Sequence, residues 1–131
     1  MGIGKESILY KRVKENLPNS LITKLENRGQ LGIPDLLIGF SNPSKFVTVE
    51  LKVVESGKKI KFSPHQYSFH VRHSKLPAFI LVHWIKEDRL LLYHAKQIME
   101  LAEAGCLVEP VDSWSYKNIL WNMLRFRFTS V

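Results

Sequence analysis

The sequence has a single cysteine, Cys106, so it can form no internal disulfide and offers no cysteine-based zinc cluster. No apolar run approaches the ~20 residues that are needed to span a bilayer. The first residues lack the apolar core of a signal peptide, and the chain has no glycine-rich P-loop or dinucleotide-binding fingerprint. We therefore expect a reducing, intracellular location, no membrane partner and no small-molecule cofactor.

The sequence also has fewer acidic than basic side chains. The 131 residues include 12 Asp and Glu against 19 Lys and Arg, which gives a formal charge of +7. Residues 1–66 hold 11 basic and 6 acidic side chains (+5), whereas residues 67–131 hold 8 and 6 (+2). Such an excess favours a polyanionic partner, with nucleic acid first and an acidic membrane surface second.

Apolar periodicity and turn residues predict alternating helices and strands. An apolar spacing of four residues predicts a helix over 4–17. Alternation over 46–53 predicts a strand, which the turn residues 41–44 join to a strand over 35–40 as an antiparallel hairpin. The further predictions are a strand over 20–26, a helix from Ser63 to about His73, strands over 78–84 and 89–94, helices over 95–104 and 113–124, and a short strand over 125–129.

This order of elements predicts an α/β (α+β) protein in which helices pack on the faces of a sheet. The length and the 45% content of apolar residues are sufficient for one domain over 1–131. Within it we expect a core over about 4–94 and a C-terminal helix and tail over 95–131.

Three residues of the predicted hairpin form the most informative polar set. Glu50 and Lys52 lie two apart on one strand, so their side chains project from the same face. Asp35 starts the partner strand directly after Pro34, and strand pairing would bring it toward Glu50. Two carboxylates beside an ammonium group suit metal-assisted hydrolysis of a phosphodiester. The plain alternative is an ordinary ion pair between Glu50 and Lys52 on an exposed sheet surface.

The same residues resemble a known nuclease superfamily. Gly32-Ile33-Pro34-Asp35, followed by Glu50-Leu51-Lys52, resembles the PD-(D/E)XK (Pro-Asp…Asp/Glu-x-Lys) nucleases. Ser63-Pro64-His65-Gln66 extends the resemblance to the virus-type replication-repair branch, VRR-Nuc. The resemblance covers about residues 4–84. It implies a restriction-endonuclease-like core with a central mixed sheet of four to five strands, and a Mg²⁺-dependent DNA endonuclease in which Mn²⁺ can substitute.

The resemblance also implies a role for each residue of the motif. Asp35 and Glu50 would hold the metal, with the backbone carbonyl of Leu51 as a further ligand. Lys52 would position the attacking water or stabilise charge, and Gln66 would help to place Lys52 or a phosphate.

Two further positions bear on the resemblance. The superfamily often adds an acidic residue from its first helix, and Glu6 stands at that place as a catalytic and metal-binding candidate. Glu6 also falls on the apolar side of the predicted helix, where a carboxylate needs a reason. A relative has a Gln-x-x-x-Tyr helix motif, of which only Gln66 is matched, because His70 replaces the tyrosine.

Basic and polar residues outside the motif are candidate DNA contacts. Some follow the Glu50 strand, some lie in the glycine loop before Asp35, and some lie among the aromatic residues of the C-terminal stretch. Each has a plainer interpretation as a solvated loop, a core position or a subunit interface. The five histidines match no zinc-site pattern, so zinc is not predicted. The candidate DNA contacts are Arg28, Gln30, Lys58, Lys59, Lys61, Arg125 and Arg127.

Several kinds of function remain open at this point. The first is a structure-selective nuclease for branched or junction DNA, and the second is a sequence-specific homing or restriction-like endonuclease. Either would act as a homodimer, or as a tetramer with a larger footprint, because cutting both strands needs two sites. From other classes come a non-catalytic nucleic-acid-binding module and a small interaction protein with a chance motif. The expected location is cytoplasmic or nucleoid-associated, and a phage- or virus-encoded source stays open.

Overall fold

The computed structural model describes residues 4–25 and 31–130. In these ranges it is a mixed α/β (α+β) structure with a six-stranded sheet and four α-helices, none of them long and apolar enough to cross a membrane. The elements are α1 (Lys5–Asn16), β1 (Ser20–Lys24), β2 (Leu36–Ser41), β3 (Ser44–Val54), α2 (Pro64–Arg72), β4 (Ala78–Trp84), β5 (Arg89–His94), α3 (Ile98–Ala104), β6 (Asp112–Ser115) and α4 (Trp121–Thr129).

The strands lie side by side in chain order from β1 to β6. β2 and β3 form the antiparallel hairpin that the alternating apolar pattern predicted. β3 and β4 pair in parallel, which requires a crossover, and α2 lies in that connection. The other neighbouring pairs are antiparallel, so the sheet is mixed, as expected. It has six strands rather than the four to five that the resemblance implied.

The C-terminal region differs from its sequence-based prediction. The prediction of a helix over 113–124 is wrong, because Asp112–Ser115 pair with β5 as an edge strand. The strand over 125–129 is also wrong, because those residues belong to α4. Both elements are short, and their type depends on what they pack against more than on local propensity. The C-terminal tail therefore adds a strand and a helix to the core, which extends past residue 94.

Helices cover both faces of the sheet, but the two faces bury different kinds of residue. α1 and α4 cover one face, the α1/α4 face, where Leu9 and Phe128 are fully buried. α2 and α3 cover the other, the α2/α3 face, where Leu101 is fully buried in a second apolar cluster. This second face also buries two polar side chains, Glu50 of β3 and His70 of α2.

β3 extends beyond β2, and this leaves a gap in the sheet. The two strands pair from Ser44 of β3 as far as Val49, which lies opposite Leu36. Residues 50–54 of β3 pair with β4 but have no partner residue in β2. The first free backbone N–H on that side, from Leu51, donates to Asp35 Oδ2 at 2.7 Å. The gap therefore lies directly beside Glu50 and Lys52.

Candidate active site

The loop before β2 places Asp35 in the gap. Gly32 has φ +84°, and a Cβ at this position would overlap the backbone carbonyl of His65 at the start of α2. A glycine is therefore needed for the loop to lie against the start of that helix. The Asp35 carbonyl accepts a hydrogen bond from the Leu25 N–H at 2.8 Å, while its side chain binds the Leu51 N–H. Asp35 is thus fixed to both sides of the gap.

Gln66, in the first turn of α2, links Glu50 to Lys52. Ser63 Oγ accepts a hydrogen bond from the Gln66 N–H at 3.1 Å, and Gln66 Oε1 accepts one from the Ser63 N–H at 3.0 Å, which completes a capping box. The same Oε1 accepts a hydrogen bond from Lys52 Nζ at 2.9 Å. Gln66 Nε2 donates to Glu50 Oε2 at 3.2 Å. One amide therefore caps a helix and holds both a carboxyl group and an ammonium group.

Glu50 is a buried acid in an unfavourable electrostatic position. Only 2% of its surface is exposed. Burial, and then the negative charge of Asp35, raise the pKa of Glu50 to about 9, although the positive charge of Lys52 acts in the opposite direction. Glu50 Oε1 has no hydrogen-bond partner within the described residues. The site therefore brings carboxyl groups together in a place where a further positive charge would stabilise them.

Glu6 lies at the mouth of the site on the same side of α1 as Leu9 and Val13, but it is exposed and not buried as expected. Leu9 and Val13 are the buried residues of α1, whereas Glu6 in the first turn is exposed. Partial burial of its carboxyl group, and then Asp35, raise the pKa of Glu6. Glu6 lines two clefts, one of about 290 Å³ beside Lys52, Lys59 and Lys61 and one of about 100 Å³ beside Asp35 and Leu51.

The donor set fits a single Mg²⁺ that keeps part of its own hydration. Over 4–25 and 31–130, no group of three His, Cys, Asp or Glu side chains is arranged to hold a metal. Mg²⁺ is usually bound through one or two carboxylates, with waters and phosphate oxygens completing its shell. Asp35 and Glu50 are the residues that would hold it, and Glu50 Oε1 has no hydrogen-bond partner in the part of the chain that the structure describes. Leu51, whose carbonyl the resemblance adds as a ligand, is bound through its N–H to Asp35.

The basic loop after β3 lies partly at the site. Lys59 and Lys61 line the larger cleft with Lys52, whereas Lys58 is exposed and does not line it. The Lys58 carbonyl accepts a hydrogen bond from the Cys106 N–H at 2.8 Å, which ties the loop to the end of α3. Of the candidate DNA contacts in the glycine loop, Arg28 and Gln30 lie outside the described residues.

The C-terminal candidates Arg125 and Arg127 are not brought to the site. The guanidinium of Arg125 lies 5.0 Å from the centre of the Phe40 ring, at the far end of β2. Phe40 lies five positions after Asp35, which corresponds to roughly 17 Å of extended strand. Arg127 Nε pairs with Asp112 Oδ2 at 2.9 Å. A DNA contact from either arginine stays a prediction, and it would fall away from the carboxyl groups.

The structure adds two residues that the sequence reasoning did not place at the site. His70 is fully buried, with Nε2 3.6 Å from Glu50 Oε1. Burial lowers the pKa of His70 to about 4, so the imidazole is neutral at physiological pH. Its one signal in the sequence is the helical i, i+4 spacing from Gln66. Lys24 lines the smaller cleft with Asp35, and no sequence pattern marks this residue.

No protein-family model matches the chain, and no curated protein matches it either. The resemblance to PD-(D/E)XK nucleases therefore stays an expectation that rests on the motif residues of the sequence.

Proposed function

We propose that this protein is a Mg²⁺-dependent DNA endonuclease with a restriction-endonuclease-like core. The observation that carries the proposal is the gap beside residues 50–54, where Asp35, Glu50 and Lys52 converge and Gln66 bridges the last two. Burying such groups in an otherwise apolar face costs free energy. Perturbed carboxyl groups beside a cleft are therefore a functional-site signal more than a stabilising device.

Five residues of the site would each have a task in phosphodiester hydrolysis. Asp35 and Glu50 would hold the metal ion, which when bound supplies charge neutralisation and an activated water. Lys52 has three N–H donors, of which Gln66 Oε1 takes one, so two remain for a phosphate oxygen or a water. Lys59 and Lys61 along the cleft would bind the flanking phosphates.

Branched or junction DNA is the substrate that we propose first, with a specific DNA sequence as the alternative. The cations that line the described cleft are lysines, which act on phosphates as point charges and read no base sequence on their own. Backbone recognition of this kind favours a choice by DNA shape. Two copies of the chain would supply the two sites needed to cut both strands, as a homodimer or within a tetramer.

Cleavage of supercoiled plasmid, a four-way junction and a linear duplex in Mg²⁺ tests the proposal. We expect the wild-type protein to cut the junction fastest, whatever its sequence. Glu50→Gln and Lys52→Ala should each lose about a hundredfold or more in rate, because the first removes a proposed metal ligand and the second removes the ammonium group that would stabilise the reacting phosphate. Mn²⁺ should replace Mg²⁺, and EDTA should stop the reaction.

Glu87→Gln and Lys86→Ala are the matched controls, because both residues are exposed in the turn between β4 and β5. They should cut DNA at the wild-type rate. Cleavage that persists undiminished in Glu50→Gln and Lys52→Ala would overturn the site. Salt-sensitive DNA binding without any cleavage would support a non-catalytic binding module, and the absence of both would favour a chance motif in an interaction protein.

A further inference from the structure

His70 is a buried polar side chain for which the proposed chemistry has no task so far. It is fully buried, and neither of its ring nitrogens has a hydrogen-bond partner among the described residues. The rings of Phe62 and Phe69 meet it edge-on, with ring centres 6.3 Å and 5.4 Å away. An unpaired buried donor costs about 1–3 kcal/mol, which an apolar side chain in the same space would avoid.

Glu50, next to His70, has an oxygen that lacks a hydrogen-bond donor among the described residues. Its Oε2 accepts a hydrogen bond from Gln66, whereas its Oε1 has no hydrogen-bond partner among residues 4–25 and 31–130 and lies 3.6 Å from His70 Nε2. A distance of 3.6 Å is too long for a hydrogen bond, and an approach of about 0.6 Å would give the usual length. Gln66 and His70 are one helical turn apart, so α2 brings one side-chain nitrogen toward each oxygen of the same carboxyl group.

We propose that His70 is a positioning residue for Glu50, in which the imidazole Nε2–H donates to Oε1 and orients the carboxyl group toward Asp35. Each carboxylate oxygen has two lone pairs, so the oxygens held by Gln66 and His70 can still bind a cation. His70 is fully buried and acts through Glu50 alone. The consequence for metal binding rests on the proposed function, whereas the contact itself does not.

Nitrogen NMR of the histidine rings in the metal-free protein tests the contact directly. We expect His70 to be the tautomer with its proton on Nε2. The resonance of that proton should shift in Glu50→Gln and stay unchanged in Glu55→Gln, an exposed position just after β3. The proposal would be overturned if the His70 proton is on Nδ1, or if the His70 resonance does not change in Glu50→Gln.

Binding of Mn²⁺, measured by calorimetry, tests the consequence. His70→Phe keeps an aromatic ring but removes the hydrogen-bond donor. It should weaken Mn²⁺ binding about 10- to 100-fold, which is the usual effect of losing a residue that hydrogen-bonds to a metal ligand. His70→Gln restores an N–H group at the same reach and should recover most of the affinity. The matched control is His73→Phe, because His73 bonds to the Phe69 carbonyl and has no described contact with Glu50.

Thermal unfolding separates this effect from misfolding. His70→Phe should unfold at or above the wild-type temperature, because it fills the same space without an unpaired donor. Wild-type affinity for Mn²⁺ in a folded His70→Phe protein would contradict the inference. If the wild-type protein binds no Mn²⁺ and cuts no DNA, the proposed function fails, and the NMR result still decides whether His70 holds Glu50.

Discussion

The two faces of the sheet are covered in the same way but bury different chemistry. The α1/α4 face buries an apolar cluster that joins Leu9, Val13 and Phe128 to the strands. The α2/α3 face also buries an apolar cluster, but it adds Glu50 and His70. Polar groups in such a place reduce stability unless they are fully paired. The comparison suggests that one face chiefly stabilises the fold, while the other gives up stability for a site.

Phe128→Ala should have the largest effect on stability, since it empties a fully buried position on the α1/α4 face. The Phe128 ring packs edge-on against Phe79, with ring centres 5.2 Å apart. We expect denaturant unfolding to show a loss of about 3–5 kcal/mol. Phe126→Ala on the same helix should change stability by less than about 0.5 kcal/mol, because Phe126 is 55% exposed. If a folded Phe128→Ala protein lost Mn²⁺ binding, the α1/α4 face would contribute to the site as well as to stability, and the proposed difference between the two faces would be wrong.

Gly32→Ala should damage both stability and the site. Its φ is +84°, and the added methyl group would overlap the His65 backbone, so the loop that carries Asp35 must move away from α2. We expect a loss of about 1–3 kcal/mol and a drop in DNA cleavage of roughly tenfold or more. Gly57→Ala separates the two causes, because Gly57 also has positive φ (+68°) but open space around it. Equal losses in both variants would mean that the contact with His65 is unimportant.

Glu50→Gln should stabilise the metal-free protein, although it should slow DNA cleavage by about a hundredfold or more. The change removes a buried acid whose ionised form is disfavoured by burial and by Asp35. We expect the free energy of unfolding to rise by about 1–3 kcal/mol at neutral pH in EDTA. The exposed Glu55→Gln, which loses only a 3.7 Å pair with Lys5, should change it by less than about 0.5 kcal/mol. If Glu50→Gln lowered the free energy of unfolding, the buried Glu50 would stabilise the α2/α3 face, contrary to the expectation.

The smallest expected effect is a pH dependence from the α1/α4 side. His83 stacks on Tyr116, and burial, followed by the charge of Arg12, lowers its pKa below the model-compound value of 6.5. The unfolded chain therefore binds the proton first, so His83 reduces stability as the pH falls below about 6.5. His83→Phe keeps the stacked ring and should remove this part of the acid destabilisation. Parallel stability curves for both proteins from pH 8 to pH 5 would contradict the assignment.

Predictions from the sequence succeeded where the determining interactions are local. The hairpin of β2 and β3 follows from an alternating pattern around a short turn, and the start of α2 follows from the Ser63–Pro64 cap. Some predictions that depended on packing partners were wrong. The edge strand β6 depends on pairing with β5, and the exposure of Glu6 depends on where the core ends along α1.

The sequence predicts which residues form the candidate site, but it predicts only part of their arrangement in space. Residue type and spacing point to Asp35, Glu50 and Lys52, and the family resemblance adds Gln66. The structure brings all four together. His70 departs from the family motif, so the sequence does not mark it, and only the tertiary structure shows that it is buried next to Glu50.

The sequence by itself determined the helical and strand periods through most of the chain, the positive charge and the residue types of the candidate site. These depend on neighbours a few positions apart, where backbone geometry and propensity act. Only the tertiary structure decided that β3 extends beyond β2, that α2 bonds to both Glu50 and Lys52, and that burial raises the pKa of Glu50 to about 9. The physical reason is that desolvation and convergence arise from segments 15 or more residues apart in the chain, such as Asp35 and Glu50, which only sheet pairing and helix packing bring together.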